Sequence, residues 1–139
     1  MVRTALALVV GIGVGVVGMA AAHDEGEKVA VVFEGEIAEK LDGKAAKATF
    51  VEVTIGPGEE GAPHRHPGPG FGYVLEGEYE WAVDDQPARV LKVGETFYEP
   101  TGCLHRVSRN PAAKGKTRVL AVVLQPRDSG PIAVPEPKK

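Results

Sequence analysis

Turn-forming residues punctuate this chain so densely that short strands are favoured over long helices along most of its length. Eighteen glycines and eleven prolines occur in 139 residues. Glycine opens backbone angles that other residues avoid, and proline fixes its own angle and removes a donor, so both interrupt helices and mark turns. Between them lie short runs of β-favouring residues. Phe50, Val51, Val53 and Ile55 form one, closed by Gly56-Pro57-Gly58. Phe71 to Leu75 and Glu78 to Val83 flank Glu76-Gly77, a hairpin signal. Asp84-Asp85-Gln86-Pro87 marks the next turn, and Arg89 to Val93 and Thr96 to Tyr98 are separated by Gly94-Glu95. His105 to Ser108 and Thr117 to Leu124 complete the set. About eight or nine short strands at this spacing predict an all-β barrel or sandwich. No internal repeat is visible.

The rest of the chain divides around this region, residues 48–124. Residues 1–22 read as a secretory signal peptide: Arg3, an apolar run from Ala5 to Met19, then Ala20-Ala21-Ala22 as a cleavage site before His23. The rival reading is an uncleaved membrane anchor, which Gly11, Gly13, Gly15 and Gly18 weaken as a helix. Cleavage implies an exported, periplasmic or extracellular protein with no stable membrane contact. Residues 23–47 are expected to be an arm with one short strand, Val29 to Phe33. Glu34 to Lys47 is mixed and charged, and no pattern places it. Residues 125–139 read as a Pro-rich tail over the surface or into solvent. The formal charge is −3, with no basic block beyond Lys138-Lys139, which argues against a nucleic-acid partner. Cys103 is the only cysteine, so no internal disulfide can form.

Chemistry points to the histidines. His64 and His66 sit in Pro63-His64-Arg65-His66, and residues two apart on a strand face the same side. His105 begins another strand. Neutral imidazole is the commonest metal ligand near neutral pH, and three on rigid strands would leave coordination positions open for water or substrate. A His-x-His pair by itself is a weak signal, since two histidines on a β segment are often just exposed polar residues; together with the resemblance that follows, the expectation is one divalent ion, Fe, Mn, Ni, Zn or Cu, on His64, His66 and His105.

The flanking residues resemble the cupin superfamily. Its first motif has a glycine, five residues, His-x-His, three or four residues, a glutamate, six residues and a glycine; here Gly58, His64-Arg65-His66 and Gly77 match. Its second has a glycine, five residues, Pro-x-Gly, two residues, a histidine, three residues and an asparagine; here Gly94, Pro100-Thr101-Gly102 and His105 match. The resemblance implies a double-stranded β-helix, with a metal held inside by the motif histidines and glutamate, and frequent pairing of such barrels as homodimers. Two positions depart from the pattern. Gly70 stands where the glutamate is expected, and Arg109 stands where the asparagine is expected, with Asn110 one place later. The chain is also similar to a subgroup of small cupins with His-Arg-His-Pro-Gly-Pro leading into Gly-Tyr-Val-Leu-Glu-Gly. Three-histidine sites also occur in thiol dioxygenases of the superfamily.

Without the motif carboxylate, three neutral histidines would leave the ion's charge uncompensated and favour a small anionic ligand. Gly70 and Gly72 either enlarge a cavity beside the metal or serve the Pro67-Gly68-Pro69 turn. Tyr73 and Tyr98 are candidates to line a substrate pocket with those glycines, or to pack as aromatics. Arg65 and Arg106 alternate away from the ligands, and Trp81 is expected in the core or an interface. Cys103 is either a small buried residue or a further ligand or redox sensor, and His23 would become a disordered amino terminus after cleavage. Three function classes follow: a metalloenzyme such as a dioxygenase, lyase or isomerase; a non-catalytic small-molecule-binding protein; and a structural dimerisation module.

Overall fold

The computed structural model describes residues 26–137. The expected leader and His23 lie outside the described residues. Among the described residues there are ten strands: β1 (Glu27–Leu41), β2 (Lys44–Ile55), β3 (His64–Arg65), β4 (Gly70–Glu76), β5 (Glu78–Val83), β6 (Arg89–Lys92), β7 (Thr96–Glu99), β8 (Leu104–Arg109), β9 (Thr117–Pro126) and β10 (Val134–Pro135). They form two five-stranded antiparallel sheets, one in the order β1-β2-β9-β4-β7 and the other β10-β3-β8-β5-β6. Among the described residues there is no helix.

Glu34 to Lys47, which no sequence pattern places, completes a long β1–β2 hairpin. Asp42 and Gly43 join its strands with φ of +49° and +75°, the pair of positive angles that a type I′ turn requires. The Asp-Gly pair was the available signal. Glu76-Gly77, by contrast, does not close a hairpin. β4 pairs with β7 and β9, while β5 pairs with β6 and β8, so Gly77 carries the chain from one sheet to the other. A Cβ at Gly77 would stand 2.5 Å from the Lys116 carbonyl oxygen, and its φ is +74°, so glycine alone fits this crossing.

Alternation along the strands builds the core. Ile55, Val74, Tyr79, Trp81, Val83, Leu91, Phe97 and Val119 form one buried cluster drawn from both sheets. Burying a large apolar side chain contributes about 1.5–3 kcal/mol. Phe97 packs against both Trp81 and Tyr79, with ring centroids 5.4 and 5.5 Å apart. A Cβ at Gly72 would lie 1.9 Å from the Phe97 ring, so the absence of a side chain there is what admits the ring.

The segment after Gln125 returns to the barrel. β10 pairs with β3, and the Glu136 amide donates to the Pro63 carbonyl at 2.9 Å. This pairing covers the backbone of β3, which β8 covers on the other side. Arg65 is correspondingly engaged: its Nε donates to Glu136 Oε2 at 2.9 Å and its Nη1 to the Gly102 carbonyl at 2.8 Å. Arg106 donates to the carbonyls of Asp84 and Gln86. Asn110 is buried and structural. Its Nδ2 donates to the carbonyls of Ile55 and Gly115, and its Oδ1 accepts from the Ala112 amide, which shapes the β8–β9 loop.

Candidate metal centre

His64 and His105 are directly opposite one another in the β3–β8 ladder, so their side chains leave the same face. His66 follows two residues after His64 and faces the same way. Its carbonyl accepts the Gly102 amide at 3.0 Å, which ties the end of β3 to the loop before β8. The three rings converge. His64 Nε2 lies 3.2 Å from His66 Nε2 and 3.3 Å from His105 Nδ1. One ligand atom from each residue falls within 4.8 Å of the others, so the three could hold a metal ion.

The outward-facing nitrogens explain how the rings are aimed. His64 Nδ1 donates to the Ala62 carbonyl at 2.8 Å, and His66 Nδ1 donates to the Ile132 carbonyl at 2.6 Å. Both contacts place the proton on Nδ1 and turn the Nε2 lone pair inward. His105 is reversed. Its Nδ1 faces the other histidines, while Nε2 donates to the Tyr79 hydroxyl at 3.2 Å. Tyr79 donates in turn to Ser108 Oγ at 2.9 Å, and Ser108 to Glu27 Oε2 at 3.2 Å. Tyr79 is buried, and burial above all pushes its hydroxyl well above the ordinary tyrosine range, so it remains a neutral partner.

A carboxylate completes the arrangement, and sequence reasoning missed it. The β4–β7 register sets Gly70 directly opposite Glu99. On β7, Phe97 and Glu99 face inward, and Glu99 is only 2% exposed. Its Oε2 lies 3.3 Å from His66 Nε2, and its Oε1 lies 3.2 Å from His105 Nδ1. Trp81 Nε1 donates to Oε1 at 2.9 Å. Position 70 lacks a carboxylate, as the sequence indicates, and the neighbouring strand β7 brings one against the histidines. Thr96-Phe97-Tyr98-Glu99 alternates in a way that hints at an inward Glu99. Only the register shows what it faces.

These contacts polarise the cluster. Burial pushes the Glu99 carboxyl up, but the hydrogen bond from His66, the charge of His105 and the Trp81 N–H outweigh it and hold the group down at about 2. Burial pulls His66 down, yet the hydrogen bond and charge of Glu99, with the Ile132 carbonyl, leave it above the ordinary histidine value. His105 is pushed down to about 4, chiefly by burial, against the pull of Glu99. Glu99 is thus held ionised, and its charge makes His66 more basic than an ordinary histidine, while His105 is made less basic. A divalent ion would compete with protons for the same lone pairs.

The donor set fits a metal. Bonds of about 2.0–2.2 Å from N or O to an ion place adjacent donors about 3.0–3.5 Å apart, and the separations of His64 from His66 and His105, 3.2 and 3.3 Å, fall in that range, while the whole set spans up to 4.8 Å. Cys103 stays outside the cluster. It packs against the core, and burial, aided by the charges of Glu99 and Asp84, pushes its thiol up to about 11.

The expected substrate-pocket residues separate. Gly70 and Gly72 face inward, but the space they leave is taken by Glu99 and Phe97. Strand alternation turns Tyr73 and Tyr98 outward, where they are 44% and 52% exposed. Gly72 and Tyr98 do border a surface groove of about 670 Å³, together with Phe71, Trp81, Arg89 and Phe97. None of the three histidines lines that groove. His64 and His66 are only partly buried, whereas His105 is buried.

Two antiparallel sheets closed over a cluster of inward histidines define a double-stranded β-helix with a candidate metal centre. The chain belongs to the cupin family: residues 51–123, more than half of its length, match the cupin domain. No curated protein matches the sequence. Several solved structures share the fold. A Klebsiella pneumoniae protein with a double-stranded β-helix domain is 21% identical, with a TM-score of 0.61, over 85% of this chain and 90% of that one. The DMSP lyase DddQ from Ruegeria pomeroyi is 21% identical with a TM-score of 0.59, over 81% of this chain and 54% of that one. KdgF from a Halomonas species is 22% identical with a TM-score of 0.55, over 76% and 85%. At these identities the likeness concerns the fold.

Proposed function

We propose that this chain is an exported metal-dependent cupin enzyme that acts on a small anionic molecule at His64, His66 and His105. The observation that carries the reading is the convergence of three imidazole nitrogens whose opposite nitrogens are each anchored by a carbonyl or hydroxyl. A cluster held in that way is preorganised to give up lone pairs rather than protons. When bound, a divalent ion supplies Lewis-acid or redox chemistry. The chain's residues do the rest. Tyr79 fixes the His105 tautomer, Trp81 orients Glu99, and the aromatic core beneath excludes water from the inner side of the centre.

A divalent ion beside Glu99 carries one uncompensated positive charge, and a single carboxylate or similar group on the substrate would neutralise it. The reaction classes that suit such a centre are dioxygenation, isomerisation and elimination. Structures of similar fold include an oxalate oxidase bound to glycolate and the DMSP lyase. They support small-molecule chemistry in this barrel, while the reaction here rests on its own residues. Export is supported by the apolar run Ala5 to Met19 followed by three alanines.

The deciding experiment is elemental analysis of protein purified from the compartment where it resides, beside a His64→Ala, His66→Ala double variant. About one transition-metal ion per wild-type chain and almost none in the variant is the expected result. Equal metal content in both would remove the proposal.

A further inference from the structure

Resting on the metal centre proposed above, we infer that Glu99 is the fourth protein ligand, supplied from β7 in place of a carboxylate on β4 at position 70. The argument is geometric. Going round the cluster, the separations are 3.2 Å from His64 to His66, 3.3 Å from His66 to Glu99, 3.2 Å from Glu99 to His105 and 3.3 Å from His105 back to His64. The carboxylate thus closes the ring of donor groups with one oxygen towards each of the two histidines that lie farthest apart, Oε2 to His66 and Oε1 to His105.

The side of the imidazoles that Glu99 meets decides its role. A carboxylate that merely orients a metal-bound histidine pairs with the ring nitrogen pointing away from the ion. In this protein those outward nitrogens are already taken, by the Ala62 carbonyl, the Ile132 carbonyl and the Tyr79 hydroxyl. Glu99 instead meets the inward nitrogens of His66 and His105, the ones that also face His64. It therefore stands among the donors rather than behind them. Trp81 Nε1 holds Oε1, which fixes the carboxylate in that position.

Gly70 explains why the carboxylate can come from the opposite strand. A Cβ at position 70 would lie 3.3 Å from Glu99 Oε2, 3.4 Å from its Cβ and 3.8 Å from the His66 ring. A side chain grown there would point at the volume that Glu99 occupies. Because the two residues are directly opposed in the ladder, a carboxylate at 70 and one at 99 are alternative ways to fill the same vertex.

Zn2+ affinity by chelator competition and the visible absorption of the Co2+-loaded protein test this. E99Q keeps an acceptor for Trp81 and nearly the same volume, so it preserves the fold while removing the charged ligand. Loss of an orienting partner costs about 10–100-fold in metal affinity. Loss of a ligand is expected to cost more than that and to change the Co2+ absorption bands. The swap G70E/E99G is expected to recover at least about tenfold of the affinity lost by E99G alone, with a cooperative thermal transition showing that it is folded. Co2+ bands in saturated E99Q identical to wild type would overturn the assignment, whatever the affinity. A folded swap variant no tighter than E99G would overturn the equivalence of the two positions. Failure of the wild type itself to bind Zn2+ or Co2+ would instead refute the metal centre as a whole.

Discussion

Tyr79→Phe isolates the least obvious requirement of the centre, the tautomer of His105. In the native chain His105 Nε2 donates to the Tyr79 hydroxyl at 3.2 Å, which leaves the Nδ1 lone pair facing His64 and Glu99. Both residues are buried, with His105 5% and Tyr79 2% exposed, so water offers no substitute acceptor. Ser108 loses the Tyr79 proton as a partner but keeps Glu27 as its own acceptor at 3.2 Å. The net damage is an imidazole N–H that loses its hydroxyl acceptor and keeps only the Val107 backbone as a polar neighbour. Without metal, His105 escapes it by moving the proton to Nδ1 and donating to Glu99 Oε1, which lies 3.2 Å away. With metal it cannot, because Nδ1 must supply a lone pair. The penalty of a buried unsatisfied donor, about 1–3 kcal/mol, therefore sets the upper bound of what falls on binding and predicts up to about 5- to 150-fold weaker affinity. The assay is Zn2+ competition against a chromophoric chelator, with urea unfolding in EDTA alongside it. Y73F, altered at an exposed hydroxyl, should match wild type in both. Y79F with native Zn2+ affinity would refute the tautomer argument.

Other consequences can be measured separately. The Glu99 carboxyl is lowered to about 2 from 4.5, so the unfolded chain takes up its proton first; this group stabilises the metal-free fold above pH 4.5, and the contribution disappears as pH falls towards 2. The difference in unfolding free energy between wild type and E99Q in EDTA should shrink over that window, and a constant difference would contradict it. Gly68→Ala would place a Cβ 1.7 Å from the Leu124 backbone oxygen, a clash no rotamer relieves, so urea unfolding should show a loss of about 1–3 kcal/mol or more, with weaker metal retention through His66. Gly58→Ala meets nothing within 4 Å and should cost only the strain of its φ of +71°, about 1–2 kcal/mol. Cys103, raised from 9.0 to about 11, should be alkylated about a hundredfold more slowly at pH 8 in the folded protein than in urea. Equal rates would show that the thiol is not held in a buried setting.

Local pattern and spacing went far here. Glycine and proline punctuation with short β-rich runs led to an all-β barrel, and the two-residue spacing of His64 and His66 put both rings on one side because a strand has period two. The motif glycines and prolines around them, with His105 in the second motif, identified the family and three of the site's residues. Where the chain obeys local rules, its residues declare their orientation. The Asp42-Gly43 turn is equally legible as a dipeptide, although Glu34 to Lys47 around it lacks clean alternation. The same alternation that turns Phe97 and Glu99 inward turns Tyr73 and Tyr98 outward, once the inward set is known.

Pairing between distant strands was decided only by the tertiary structure. Glu76-Gly77 looks like a hairpin because two β-like runs flank it, yet the partners of β4 and β5 lie in different sheets. Gly70 reads as a missing ligand until the β4–β7 register sets Glu99 against it. The carbonyl that aims His66 belongs to Ile132, in a segment whose composition suggests only a tail. A sequence carries the period of each strand but not the offset between strands, since register follows from the packing of all side chains together. The histidines were thus written in the chain, while the carboxylate among them and the groups that aim them came from the fold.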